Sequence, residues 1–206
     1  MGTNFRPSTL GQNVSLNFGE AWLFKRSTKH MAEGGELACS QSVTEYGLMP
    51  ATGSQNFGPN HAYIPTLKDF LLQSGRATQV SIRPDRLVRD QIRPGDIVFA
   101  EQEHTYVAID LNQNGKPDIF AANSSGSSRV GYMEDLREMA GSLRHPDTVV
   151  LRLNPNHPDY QSWQTNGRMI PKDHVRQLQN QYNQLRREGF LLDQSQARPD
   201  FVTDMF

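Results

Sequence analysis

The second half of the chain carries short apolar segments whose spacing predicts β-strands. In the segment 105–111 every second residue from Val107 to Leu111 is apolar, which predicts a strand with one buried face. A polar turn at 112–116 follows and makes this strand the first arm of a hairpin. Short apolar runs predict three more strands, over 97–100, 118–122 and 149–153.

Helices are predicted on both sides of these strands. The segment 38–46 is expected to form a helix that ends at Gly47, and a second helix is expected to begin at Thr66 with a capping-box-like pattern. Residues 132–140 are also expected to be helical. An amphipathic helix is predicted over 171–188, with an apolar stripe that consists of Val175, Leu178, Tyr182 and Leu185.

The order of these elements predicts the fold class. Helices precede the group of strands and another helix follows it, which indicates an α+β fold with an antiparallel sheet. Residues 1–20 are rich in Asn, Ser, Thr and Gly and are expected to be an irregular lead-in. The main domain would span 21–153, and the extension 154–206 would pack its one helix on the same domain.

Composition narrows the class of protein. The chain has 206 residues and a mass of 23.3 kDa, which suits one domain with an extension. Its net charge of -1 argues against a nucleic-acid groove, which needs a basic field. A mean hydropathy of -0.64 and the lack of a long apolar run predict no membrane span. A single cysteine excludes an intrachain disulfide and a multi-cysteine metal site.

That single cysteine, Cys39, is the first candidate for chemistry. It lies near the start of a predicted helix and follows Gly34 and Gly35, which would let another chain approach closely. A helix N-terminus presents unpaired N–H groups and a positive dipole end, and both stabilise a nucleophilic thiolate. The alternative is that Cys39 is a small buried hydrophobic residue.

A thiolate catalyst needs a base that exchanges a proton near neutral pH, and histidine is suited to this. Among six histidines, only His104 begins a predicted apolar strand, where a sheet can fix its ring. The two hairpin registers that we consider place His104 opposite Asn123 or opposite Ser125, and both put Asn123 on its face. The Asn123 amide could then orient the imidazole toward Cys39. The alternatives are a His104 bonded to a loop and an Asn123 that only ends a strand.

Four segments, over roughly residues 20–153, resemble the NlpC-type and CHAP branches of the papain-like cysteine peptidases. They are the glycine pair with its Cys-Ser helix start, the Pro-Gly-Asp entry to a strand at 94–96, the strand that begins at His104, and the strand before Asn123. The resemblance implies a papain-like fold with Cys39, His104 and Asn123 as catalytic residues. Three residues depart from the family pattern, namely Ala38, Gln41 and Ala121.

The resemblance also implies a reaction and a setting. Such enzymes hydrolyse amide bonds in peptidoglycan peptides, which implies a cysteine amidase or endopeptidase here, with no required cofactor. We expect a secreted or periplasmic monomer, conceivable as an antibacterial effector that an inhibitor or immunity protein would counter. Two alternatives stay open: a papain-like transferase or deamidase that modifies a protein, and a non-catalytic module that binds peptides or glycans.

The segment 110–118 resembles the first half of a calcium-binding loop, because acids and amides alternate before a glycine. An ion bound there would pin the hairpin that carries His104 without taking part in the reaction. A plain Asn/Gly hairpin turn is the alternative. The side chains that could bind calcium are Asp110, Asn112, Asn114 and Asp118, with the backbone carbonyl of Lys116 as a further ligand.

Overall fold

A computed structural model describes residues 9–24, 38–83, 86–101, 104–122, 132–134 and 142–188. It has the predicted α+β architecture, in which N-terminal helices and a C-terminal helix pack against an antiparallel sheet. No helix within these ranges is long and apolar enough to cross a membrane.

The helices account for most of the N-terminal half and for the C-terminal end of the described chain. In chain order they are α1 (Leu10–Phe24), α2 (Ala38–Ser42), a π-helical stretch (Val43–Leu48), α3 (Met49–Thr52), α4 (Ile64–Gln73), α5 (Val88–Gln91), a 3-10 turn (Pro158–Tyr160), α6 (Trp163–Asn166) and α7 (Lys172–Arg187).

Six strands form one sheet in which every described neighbour pair is antiparallel. Across the sheet the strand order is β1-β6-β2-β3-β4-β5, so β3 lies inside the sheet with β2 and β4 on either side. The strands are β1 (Ala77–Val80), β2 (Ile97–Ala100), β3 (His104–Ile109), β4 (Ile119–Ala122), β5 (Tyr132–Glu134) and β6 (Val149–Leu153).

Each face of the sheet covers its own apolar cluster. Val107 and Ile109 of β3 join the larger cluster, which also contains the buried side chains of α1 and the α2–α3 segment. Tyr106 and Ala108 of the same strand join a smaller cluster on the other face, together with Phe120 of β4. Because side chains alternate along a strand, neighbouring residues of β3 point into different clusters.

The first helix corrects the expectation of an irregular lead-in over 1–20. α1 begins at Leu10 and is buried almost all round, with Val14, Phe18 and Trp22 among its core side chains. Its polar residues are buried too and bond to neighbouring backbone: Asn13 Nδ2 donates to the carbonyl of Ala51 at 2.9 Å. A helix covered on all sides lacks the one-sided apolar stripe of a surface helix, so its composition resembled that of a loop.

The helix that carries Cys39 is longer than predicted. Gly47 does not end it, since the chain stays helical from Ala38 to Thr52 and ends at Gly53, whose φ is 74°. A Cβ at Gly47 would lie 3.4 Å from the ring of Phe18 in α1. That is an ordinary contact distance, so Gly47 lies inside the helix against α1 and does not form the left-handed turn after a helix.

Two further predictions are wrong. Residues 132–134 form a strand paired with β4 instead of the start of a helix, and 135–140 lie outside the described residues. In the β3–β4 hairpin, Val107 pairs with Ala121, which lies between the partners that the two considered registers require. The strands end at Ile109 and Ile119 with a long connection between them, so no two-residue turn sets the register.

The C-terminal helix packs as the apolar stripe predicted. α7 contacts α1, and its stripe enters the larger cluster through Val175, Leu178 and Tyr182. The segment before α7 is tied to α1 by a bidentate ion pair, in which the Arg168 guanidinium bonds both carboxylate oxygens of Glu20 at 2.7 and 2.6 Å. The segment from Trp163 to Arg187 therefore shares a core with the N-terminal helix.

Candidate active site

The sulfur of Cys39 lies where a helix tip meets the sheet. α2 begins at Ala38 and packs against β3, so Cys39 is in the first turn of the helix and faces the strand. The residue is 4% exposed and belongs to the larger apolar cluster. The described helix over residues 38–42 agrees with the helix predicted from residue 38, and the structure adds that the side chain of Cys39 is buried there.

Hydrogen-bond donors surround this sulfur. The backbone N–H and the hydroxyl of Thr105 lie toward it, together with the backbone N–H groups of Ser40 and of Cys39 itself. These donors stabilise the thiolate and lower the pKa of the thiol. Burial is the larger effect and leaves the pKa of Cys39 raised above its ordinary value. The donors would therefore stabilise a negative charge on the sulfur, whereas burial of the sulfur opposes ionisation of the thiol.

Hydrogen bonds from hydroxyl groups stabilise the helical segment that carries Cys39. Ser42 Oγ donates to the carbonyl of Cys39 at 2.9 Å, and Thr44 Oγ1 donates to the carbonyl of Ser40 at 3.1 Å. Ser40 Oγ donates to the backbone carbonyl of His61 at 2.9 Å. This last bond joins the helix tip to the loop before α4 and brings a second histidine, which is half-buried, close to the site. No pattern in the sequence singled out His61, because it lies in an irregular loop.

His104 begins β3 as the sequence predicted, but its ring packs on the other face of the sheet. The imidazole is half-buried and meets the ring of Tyr106 edge-on, with centroids 4.7 Å apart and an interplanar angle of 74°. Residues two apart on a strand share a face, so His104 lies with Tyr106 and its neighbour Thr105 lies with Cys39. The strand residue whose donors reach the sulfur is thus Thr105.

The third predicted catalytic residue, Asn123, lies outside the described residues. Its predicted position on the same face as His104 depends on the hairpin register. In the observed register even-numbered residues of β3 pair with even-numbered residues of β4, as Ala108 pairs with Phe120. That register removes the basis for placing His104 and Asn123 on one face, and the role of Asn123 stays a prediction.

The candidate calcium residues meet in the loop that follows β3. Asp118 accepts from the backbone N–H groups of Leu111 and Asn112 at 2.9 and 3.1 Å, and from the side-chain amide of Asn112 at 2.8 Å. Asp110 accepts from the backbone N–H groups of Asn114 and Gly115 at 3.2 and 2.8 Å. Each of the four carboxylate oxygens therefore has a donor from the loop itself.

The two carboxyl groups of this loop are buried and close enough to influence each other. Burial, with a smaller contribution from the charge of Asp118, raises the pKa of Asp110 to about 6. Burial also raises the pKa of Asp118. Within the described part of the chain, no three His, Cys, Asp or Glu side chains form a group that could hold a metal ion. The contacts are those of a turn held by its own backbone, and calcium binding stays a prediction.

Comparison with known proteins adds nothing to the geometry of the site. No family model, curated protein or solved structure matches this chain.

Proposed function

We propose that this chain is a cysteine hydrolase with a papain-like arrangement that cleaves amide bonds in peptidoglycan peptides, and that Cys39 is its nucleophile. The observation that carries the proposal is the position of the Cys39 sulfur: it sits in the first turn of a helix, against an inner strand of an antiparallel sheet, and faces backbone N–H donors. The order of the segments that resemble the NlpC-type and CHAP enzymes gives the substrate class. A peptidoglycan substrate implies action outside the cytoplasmic membrane, where an immunity protein could be a partner.

The reaction follows from the sulfur and one base. The Cys39 thiolate attacks the amide carbonyl carbon, and the C–N bond breaks as the imidazolium returns its proton to the leaving amine. Water, deprotonated by the same imidazole, then hydrolyses the thioester and releases the carboxylic acid. The N–H donors at the helix tip favour the charged sulfur at the start and end of this cycle.

Two histidines are candidates for the base. His104 starts β3 one residue from Thr105, and to serve it must turn from Tyr106 around the start of the strand until its ring reaches the sulfur. His61 approaches from the other side, since its carbonyl accepts from Ser40 in the Cys39 helix. The resemblance favours His104, and we assign the base to it.

Digestion of purified peptidoglycan with mass analysis of the products tests the assignment. Cys39→Ala should abolish fragment release while the circular dichroism spectrum is unchanged. His104→Ala should lower the rate by about 10²- to 10⁴-fold, the usual contribution of a general base. His61→Ala tests the other candidate, and His145→Ala serves as the control because the His145 ring is exposed and accepts from the backbone N–H of Asp147. Undiminished release by Cys39→Ala would exclude the mechanism.

A non-catalytic binding module is the second candidate, and burial of the sulfur favours it. A thiol that is 4% exposed and has a raised pKa resembles a core residue more than a free nucleophile. In that case the protein would bind peptidoglycan fragments without changing their masses. The thiol would also react with iodoacetamide only under strongly alkaline conditions or after unfolding. Sedimentation with insoluble peptidoglycan, followed by analysis of the soluble products, separates the two functions.

A further inference from the structure

One hydroxyl beside the candidate nucleophile lacks an ordinary hydrogen-bond partner. Thr105 is fully buried, and its Oγ1 has no hydrogen-bond partner among the described residues. A buried hydroxyl without a partner costs free energy, so such groups are uncommon and call for an explanation. The group that lies beside this hydroxyl is the sulfur of Cys39.

The backbone N–H of Thr105 also lies toward the sulfur. The N–H of Ala108 donates to the carbonyl of Asp96 at 2.9 Å, which shows that even-numbered N–H groups of β3 point toward β2. The N–H of Thr105 therefore points away from β2, and the described pairing between β3 and β4 begins only at Val107. In this register the β4 position opposite Thr105 is 123, which lies outside the described residues, so the hydroxyl is the donor of Thr105 for which the structure records no partner.

We propose that Thr105 is a positioning residue whose unpartnered hydroxyl, together with its backbone N–H, binds and orients the Cys39 sulfur at the start of β3 when the thiol ionises. The inference rests on the proposed function only in that Cys39 is the nucleophile. The hydroxyl would donate to the thiolate and accept from the thiol, so it serves both states of the sulfur through a reaction cycle. Threonine suits this place because its branched side chain keeps one rotamer on a strand while its methyl group packs in the core.

Direct titration of the thiol tests the inference without any substrate. Because Cys39 is the single cysteine, the ultraviolet absorbance of its thiolate can be followed against pH after subtraction of the Cys39→Ala titration. The titratable side chains on the elements that pack against α2 are Glu45 and Tyr46 in the π-helical stretch, and His104 and Tyr106 in β3. These residues stay unchanged in every variant below.

Three variants separate a positioning role from a structural one. Thr105→Val keeps the shape and removes the hydroxyl, so it should raise the pKa of Cys39 by about one unit, a tenfold change in the thiol–thiolate equilibrium. Thr105→Ser keeps the hydroxyl and should titrate like the unmodified protein. Thr52→Val is the control, because Thr52 is equally buried but donates to the carbonyl of Leu48. It should leave the thiol titration unchanged.

The outcomes are distinct. A raised pKa in Thr105→Val that is absent from Thr105→Ser and Thr52→Val supports the inference. An unchanged titration in a folded Thr105→Val, or equal shifts in the valine and serine variants, overturns it. In the peptidoglycan assay, Thr105→Val should lower kcat at neutral pH with KM unchanged, and higher pH should restore part of the loss. If the unmodified protein releases no peptide, the proposed function fails, while the thiol titration still decides the role of Thr105.

Discussion

Both ends of β3 place buried ionisable groups beside hydrogen-bond donors, but the hydrogen bonds differ between the two ends. At its start, the buried sulfur of Cys39 faces the donors of Thr105, and at its end the buried carboxylates of Asp110 and Asp118 face the donors of their own loop. Burial raises the pKa of all three groups. Both ends thus hold an ionisable group in a dry environment with N–H groups aimed at it.

The difference is whether the hydrogen bonds are complete. At the end of β3 every carboxylate oxygen has a donor within 3.2 Å, so the buried charges organise a turn. At the start, Thr105 Oγ1 has no hydrogen-bond partner in the described part of the chain, although the sulfur of Cys39 lies near it. Complete satisfaction is what a structural role requires, whereas an incomplete set of bonds is typical of a site that changes state.

Removal of the Asp118 carboxylate should have the largest effect on stability. Asp118→Ala leaves the backbone N–H groups of Leu111 and Asn112 without an acceptor at a buried position, which we expect to lower the free energy of unfolding by about 4 kcal/mol. Urea unfolding followed by circular dichroism measures this. The end of β3 would then be confirmed as a structural element that depends on its own hydrogen bonds.

Asn112→Ala is the matched variant for that measurement. It removes only the side-chain amide that donates to Asp118 at 2.8 Å and keeps both backbone bonds, so a loss of about 1 kcal/mol is expected. Equal losses in Asp118→Ala and Asn112→Ala would contradict the importance given to the backbone bonds.

The free energy of unfolding should change with pH because of Asp110, the second carboxylate of the same loop. Burial raises the pKa of Asp110 from 3.8 to about 6, so the folded protein holds this proton more tightly than the unfolded chain. Stability from this group is complete below about pH 4 and is lost as the pH rises through about 6, by about 3 kcal/mol in total. Asp110→Asn cannot ionise and should remove this decline, as measured by urea unfolding across the same range.

Other buried acids contribute in the same direction and set the background. Burial raises the pKa of Asp96, in spite of its bidentate ion pair with Arg152, and raises that of Asp118. Some decline with pH should therefore persist in Asp110→Asn. A decline as steep as in the unmodified protein would show that Asp110 ionises normally in the folded state.

Much of the sheet could be predicted from the sequence. The strands at 97–100 and 149–153 have the predicted bounds, because short apolar runs flanked by polar or turn residues leave little freedom at their ends. The amphipathic helix near the C-terminus was predicted to within one residue at each end, since its stripe repeats over four turns. The strand β1 was missed because Ala77–Val80 has no apolar pattern.

The sequence could not predict equally well which side chains of β3 and β4 share a face of the sheet. A hairpin register that differs by one residue changes which side chains lie together, and the observed pairing of Val107 with Ala121 differs by one from each register considered. The connection between the strands is set by Asp110 and Asp118, whose hydrogen bonds span the whole loop and do not follow a two-residue turn pattern. The sequence therefore identified Cys39 and β3 as the parts of the site but did not identify Thr105 as the residue that meets the sulfur.

Relief of backbone strain near the two ends of β3 should give the smallest of the expected changes in the free energy of unfolding. Glu101, just before β3, has φ of 50°, and Gln113, in the loop after it, has φ of 54°. Left-handed backbone costs a non-glycine residue about 1–2 kcal/mol, while glycine adds about 0.5–1 kcal/mol of chain entropy to the unfolded state. Glu101→Gly and Gln113→Gly should therefore each raise the free energy of unfolding by about 0.5 kcal/mol.

Activity should separate these two variants although their stabilities agree. Glu101 lies three residues before His104, and its N–H donates to Thr148 Oγ1 at 3.3 Å, so a fixed backbone at 101 helps to aim the start of β3. Glycine there would loosen the strand start, and peptide release should fall several-fold. Gln113→Gly acts in a turn that has its own complete hydrogen bonds, and release should not change. Equal activities in the two variants would show that strain at Glu101 is incidental to the site, because strain that serves a function is kept where the catalytic geometry depends on it.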